Sequence, residues 1–269
     1  MALTILLLRD SILLNGTLTN VKVWYNLTKS EKQEFEAMDR LFFRRLLEVP
    51  ESTRCESYYL EFGVLPISII VKARRINYLH SILKRGKQGM LYNFFITQWN
   101  NPCKGDWTET VKQDLADFDI DSSFSSLVSK SKEAFNKKVK VKATEYALRC
   151  LQEKKATHSK LDNLAYSKLE MQQYLKSDQT SVSEKRVLFR CRVRMERFGE
   201  NFRGGKGPVM CPLCNQHLDN QALVFQCPEI RKEIEIKGCI EDIYKDEMKP
   251  ETIKTMTKIL EIRKSRMDQ

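Results

Sequence analysis

Apolar residues recur three and four positions apart along most of this chain, the spacing that lines one face of an α-helix. Phe35, Met38, Phe42 and Leu46 predict a helix over residues 30–48, with Ser30 and Gln33 as its N-cap pair and Pro50 as its stop. Residues 5–26 read as a helix weakened at Asn15-Gly16, or as two short elements. Arg54 to Phe62 predicts a short helix stopped by Gly63, and Pro66 opens a long one to about Leu83. The stripe of that long helix is Ile67, Ile70, Val71, Tyr78 and Ile82. Leu91, Phe94, Phe95 and Trp99 read as core, and Trp107 opens a helix to Phe118.

The Ser- and Asp-rich stretch 119–131 reads as a boundary. A long helix then runs to about Lys155, with Phe135, Val139, Ala143, Tyr146 and Cys150 on its apolar side. Leu161 to Leu175 predicts another helix. Ser183 starts the next, holding Val187, Phe189, Cys191, Val193 and Met195. Residues 229–246 and 250–265 close the chain as helices, the last with Ile253, Met256, Ile259 and Leu260. The expected fold is mainly α: a multi-helix domain over 1–120, a basic helical region over 121–204, and a small Cys-rich, zinc-knuckle-like module with C-terminal helices over 205–269.

Charge adds a direction. Lys+Arg number 46 against 35 Asp+Glu, a net +11 that favours polyanions, nucleic acid first. Two clusters stand out. Lys130, Lys132, Lys137, Lys138, Lys140 and Lys142 load the start of the long helix, where cations oppose the helix dipole. Arg186, Arg190, Arg192, Arg194 and Arg197 thread the later helix, with Arg203 and Lys206 following. Guanidinium forks match phosphate geometry. For both clusters the alternative is a solvated helix face.

The second basic cluster leads into Cys211-Pro-Leu-Cys214, followed by Cys227. Two cysteines two residues apart put two thiolates on one turn, a zinc-binding spacing. A structural zinc site takes four ligands. The fourth is His217, Cys239 or absent; without metal the three thiols are core packing. The remaining cysteines are isolated among eight, which predicts a reducing, intracellular location, nucleus or cytoplasm. The apolar start is interrupted by Arg9 and Asp10, too early for a membrane span or a signal peptide.

Enzyme motifs are missing: no phosphate-cradling GxxxxGK[ST], no GxGxxG and no GxSxG. The three histidines, His80, His158 and His217, are scattered. No aspartate pair sits in an apolar strand as a two-metal polymerase requires. The chain reads as a non-enzyme.

Several runs resemble one family. Trp24-Tyr25-Asn26-Leu27-Thr28, Glu61-Phe62-Gly63-Val64-Leu65-Pro66-Ile67, Arg74-Arg75-Ile76-Asn77-Tyr78-Leu79-His80 and Lys104-Gly105-Asp106-Trp107 are similar to the region downstream of the polymerase core in non-LTR (LINE-type) retrotransposon endonuclease–reverse transcriptases. Phe189 to Met195, Asn201-Phe202 and the Cys-Pro-Leu-Cys turn resemble the zinc-binding stretch that closes those proteins. The resemblance implies a thumb- or connector-like helical part that holds RNA and DNA while a polymerase core, encoded upstream, extends an end. The family's catalytic aspartates would precede Met1. Its histidine shortly before the last cysteine is replaced here by Ala222, which leaves His217 as the substitute. A decayed or truncated copy fits both departures.

The expectation is therefore a non-catalytic RNA- or DNA-binding chain with a zinc module. The alternative is a structural or protein-interaction helical domain from a decayed or domesticated retroelement, whose partner site would be an exposed apolar face over 250–265.

Overall fold

The computed structural model describes residues 2–24, 27–86, 88–101, 103–202, 207–245 and 249–267. Among them the chain is mainly helical, as its apolar spacing predicts, with no strand and one isolated antiparallel bridge, Met210 to Leu218. The elements in order are α1 (Ala2–Leu8), a π turn (Arg9–Leu14), α2 (Asn15–Thr17), a 3₁₀ turn (Val21–Val23), α3 (Lys29–Leu47), α4 (Cys55–Phe62) and α5 (Ile67–Arg85). There follow α6 (Met90–Asn100), α7 (Trp107–Asp117), α8 (Phe124–Val128), α9 (Lys132–Lys155), α10 (Gln173–Lys176) and α11 (Val182–Arg192). The last are α12 (Pro228–Glu233), α13 (Ile240–Tyr244) and α14 (Pro250–Met267). No described helix is long and apolar enough to cross a membrane.

The chain divides into two compact units. One comprises residues 3–42 and 63–153; the other comprises 1–2, 43–62 and 154–269. This division cuts across the expected boundaries at 120 and 204, and aromatic packing gives the reason. Tyr58 and Phe62 of α4 lie 5.7 and 6.4 Å from Phe189 of α11, and Phe43 stacks on Tyr58 at 5.2 Å. A segment early in the chain thus belongs to the core that the late helices build.

In the unit of 3–42 and 63–153, Leu14, Leu18, Val21 and Leu27 pack against Ile67 and Val71 of α5. Buried ion pairs pin the same helices. Arg9 donates from Nε and Nη2, one edge of its guanidinium, to the two Asp39 oxygens at 2.9 and 2.8 Å, and Arg75 donates to Asp114 at 2.6 and 3.0 Å. His80 is buried and stacks on Phe135 of α9, centroids 4.3 Å apart.

In the other unit, α14 packs against α11 and α13 and buries Ile253, Met256 and Ile259. The apolar face over 250–265 is therefore core and not a partner surface, because these residues have no solvent side left.

Several local expectations change. The cap of α3 is Thr28 with Glu31, not Ser30 with Gln33: Glu31 N–H donates to Thr28 Oγ1 at 3.2 Å and Thr28 N–H to Glu31 Oε2 at 2.7 Å. The cap of α11 is Ser181 with Glu184, two residues before Ser183, in the same reciprocal arrangement. Residues 161–175 are largely irregular, because Leu164, Tyr166 and Leu169 all turn inward at spacings that no single helix face supplies. Residues 229–246 split into α12 and α13. Gly238, at φ +84°, breaks the run, and a Cβ there would sit 2.0 Å from Thr252 Oγ1. In α6 only Phe95 is buried; Leu91 and Phe94 are exposed, while Trp99 packs at a tilt on Phe95 and Phe124.

Candidate metal centre and the two basic helices

The Cys module begins as a tight loop. Cys211 N–H donates to His217 O at 2.7 Å, Asp219 N–H to Val209 O at 2.7 Å, and Asn215 N–H to Cys211 O at 2.9 Å. The reversal needs a left-handed residue, and Asn215 supplies it at φ 52°. Asparagine tolerates that region better than most residues. Cys227 then arrives from a 3₁₀ turn, Leu223–Gln226, with Pro228 opening α12 behind it. Buried Val224, Phe225 and Ile230 hold that arm in place.

The loop is anchored from below. Gly199 lies so close to Val209 that a Cβ would meet Cγ1 at 2.3 Å. Gly199 N–H donates to Asp219 Oδ2 at 2.7 Å, and Arg263 of α14 pairs with Asp219 at 2.8 Å.

This frame brings Cys211, Cys214 and Cys227 together, with all three sulfurs within 4.8 Å of one another. Cys211 Sγ and Cys227 Sγ are 3.9 Å apart. A tetrahedron with Zn–S bonds of about 2.3 Å has edges of roughly 3.8 Å, so the spacing fits a shared ion. Burial pushes the Cys227 thiol up, to about 11. For Cys214 burial acts the same way, but backbone N–H groups at Gln216 and His217 and the neighbouring thiols outweigh it and hold its thiol below the usual value. The three cysteines can hold a metal ion, which would supply a crosslink between the loop and the α12 arm.

The sequence offered two candidates for the fourth ligand, and the structure brings neither to the sulfurs. Among the described residues the cluster is three thiols. His217 serves the loop through its backbone carbonyl, fixed beside the Met210–Leu218 bridge, and its ring lies outside the cluster. Cys239 is exposed at the start of α13.

The arginines of α11 do not form a phosphate-facing surface. Arg192 is 1 % exposed and donates to both oxygens of Glu61 at 3.0 Å. Its far nitrogen donates to Ile243 O at 2.7 Å. Glu61 also accepts from Tyr166 at 2.5 Å and Tyr174 at 2.8 Å. This network is closed, and a phosphate contact by Arg192 is ruled out by burial. Arg190 pairs with Glu196 at 2.7 Å. Arg186 pairs with Glu48 at 2.5 Å and donates to Leu46 O at 2.9 Å. Arg194, half-buried in a left-handed conformation, donates to Ser159 O at 3.4 Å. Arg197 is exposed. Arg203 and Lys206 lie outside the described residues.

The α9 cluster is arranged differently. Lys130, Lys132, Lys137 and Lys140 are exposed and Lys138 is half-buried. None of these five forms an ion pair with a described residue. Lys142 is the exception, shared between Asp119 and Glu145 at 3.3 and 3.2 Å.

Glu61, Tyr166 and Tyr174 were not singled out from sequence, yet a signal existed. Lys185, Leu188 and Arg192 fall at helical spacing on one stripe of α11, and all three are buried. An arginine on the apolar stripe requires a buried carboxylate, and Glu61 stands between Leu60 and Phe62. Comparison of the chain with protein-family models, with curated proteins and with solved structures finds no match.

Proposed function

We propose that this chain is a non-catalytic nucleic-acid-binding protein whose contact surface is the lysine face at the start of α9 and whose C-terminal module is held by zinc. The observation that carries the reading is the set of exposed lysines, Lys130, Lys132, Lys137 and Lys140, without carboxylate partners among the described residues. Lys137 and Lys140 are surface neighbours one turn apart. Hydrated ammonium groups of this kind bind phosphates as point charges, which gives affinity without base specificity. The resemblance to the closing part of non-LTR reverse transcriptases supports the same reading, with a polymerase core elsewhere. Eight free cysteines favour a reducing compartment, nucleus or cytoplasm.

Titration of single-stranded RNA and duplex DNA at two salt levels tests it. Affinity is expected to fall steeply with salt, since each neutralised phosphate contributes about 0.7–0.9 to the log–log slope. Binding that is absent, or flat with salt, refutes the reading. The zinc part has its own test. The purified protein is expected to carry one zinc per chain, and Cys211→Ser to release it and loosen the module by several kcal/mol, because metal binding and folding are one free energy there. A metal-free protein in which Cys211→Ser changes nothing identifies the thiols as packing.

The ion pairing of Arg186, Arg190 and Arg192 favours a second, structural reading for α11 itself.

A further inference from the structure

The three thiols of the Cys module are not equivalent. Cys211 and Cys227 are buried, whereas Cys214 is half-buried and reaches solvent. The exposed Asn215 and Gln216 follow it directly. Its sulfur nevertheless lies within 4.8 Å of both buried sulfurs, and those two are 3.9 Å apart. The protein frame gathers them. Cys211 donates its N–H to His217 O at 2.7 Å and accepts from Asn215 N–H at 2.9 Å, and Cys227 is set by the buried Val224, Phe225 and Ile230 around it.

Oxidation of a thiol needs access, and its reversal needs a second thiol at hand. A thiol oxidised alone stops at sulfenic acid or climbs irreversibly to the sulfinic and sulfonic acids. A sulfenic acid with a thiol beside it condenses to a disulfide, which cellular thiols reduce again. Cys103 and Cys239 have access, since both are exposed, but neither belongs to the cluster. Cys211 and Cys227 have neighbours but are shielded. Cys214 has both, with solvent on one side and two thiols on the other. Disulfide formation draws two of these sulfurs together to about 2.05 Å.

We propose that Cys214 is a site of reversible oxidation by peroxides, with Cys211 or Cys227 as the thiol that closes the disulfide. The Cys214 sulfur attacks one peroxide oxygen and the O–O bond breaks. One oxygen stays as the sulfenic acid, and the other leaves as water with the thiol proton. A buried neighbour's sulfur then attacks the Cys214 sulfur. The S–O bond breaks, and the hydroxyl leaves as water with the neighbour's proton. Two thiols lose two electrons in all, and one hydrogen peroxide becomes two waters. The bond uses two of the three sulfurs that can hold a metal ion, so the oxidised cluster releases it. That last consequence rests on the zinc reading above; the oxidation itself does not.

The test treats the full chain with hydrogen peroxide and follows its cysteines by peptide mass spectrometry. With dimedone present, which traps sulfenic acids, the first label is expected on Cys214. Without it, the cluster is expected to lose two hydrogens, and glutathione to restore them. Cleavage before Asp219 separates Cys211 and Cys214 from Cys227 and so identifies the partner. Cys214→Ser is expected to slow disulfide formation about tenfold or more, because the two remaining thiols are shielded. Cys103→Ser with Cys239→Ser is expected to leave it unchanged. If Cys214→Ser loosens the module, the dimedone label on the wild-type chain still decides. A first label on Cys211 or Cys227, or oxidation of Cys214 that yields no disulfide, overturns the proposal. A chromogenic chelator reads zinc in parallel. Disulfide formation in a chain that carries no zinc leaves the inference standing and refutes the zinc reading. Zinc retained under peroxide, with no disulfide formed, does the reverse.

Discussion

Helices α11 and α9 carry the two densest runs of positive charge in the chain, and they spend it in opposite directions. In α11 Arg192 is enclosed with Glu61, and Arg186 and Arg190 each pair with a carboxylate of their own unit. At α9, Lys130 just before the helix and Lys132, Lys137 and Lys140 within it stand in solvent. The chemistry of the two cations explains the split. Guanidinium is planar, weakly hydrated and forked, so it tolerates burial against a carboxylate. Ammonium is compact and strongly hydrated, and its long stem lets the charge stay in water. Counting cations along α11 therefore overstates its free positive charge, whereas several of those at the start of α9 stay in solvent. Charge counted along a sequence becomes surface potential only after the carboxylates have taken their share.

The contrast can be broken most forcefully at Glu61. Glu61→Ala strands Arg192 in the core, together with the hydroxyls of Tyr166 and Tyr174. Removing one partner of a buried pair costs about 3–5 kcal/mol. Chemical denaturation of wild type and variant measures it, and a loss below about 1 kcal/mol would mean that the Glu61–Arg192 network does not hold this core.

A smaller effect probes the α9 side. Burial foremost holds the His80 imidazole below its usual value; the Lys130 carbonyl opposes this, while Lys84 and Lys132 add to it. The unfolded chain, titrating near 6.5, then binds the proton that the folded chain refuses. The contribution of neutral His80 is fully present above that pH and is lost as pH falls from it toward the lower folded value, by at most about 1.4 kcal/mol per pH unit for one proton. Denaturant midpoints at pH 7.5 and 5.5 are expected to differ in wild type, and the difference to shrink in His80→Phe. An unchanged difference in that variant would remove His80 from the account.

The smallest effects lie at the helix starts. Ser181→Ala opens the capping box of α11 and Thr28→Ala that of α3, each costing about 1 kcal/mol in thermal or chemical melts. Equal effects of these caps and of Glu61→Ala would deny the buried network its special weight.

Much of the fold was legible in the sequence. Spacings of three and four residues located α3, α4, α5, α7, α9, α11 and α14 to within a few residues, because each buries one continuous apolar stripe. The Cys-x-x-Cys turn and its third thiol were legible for the same local reason: two residues of separation fix two sulfurs on one loop. What was not legible depends on distant partners. The place of Arg192 on a buried stripe calls for a carboxylate, but nothing local says that it is Glu61, 131 positions earlier. The membership of 43–62 in the C-terminal core, and the failure of His217 to reach the sulfurs despite its nearness in sequence, are of the same kind. Residues 161–175 carry enough apolar side chains for a helix, but Tyr166 and Tyr174 are drawn to one carboxylate from an irregular backbone.

The central claim is that the outward lysines of α9, and not the inward arginines of α11, meet a polyanion. The salt dependence of single-stranded RNA binding tests it when measured for wild type, for Lys137→Glu with Lys140→Glu, and for Arg186→Ala with Arg190→Ala. The account predicts that the lysine pair lowers the log–log slope by roughly 1.4 and weakens binding at every salt concentration, while the arginine pair leaves the slope unchanged. A slope that falls with the arginine pair and holds with the lysine pair would contradict it.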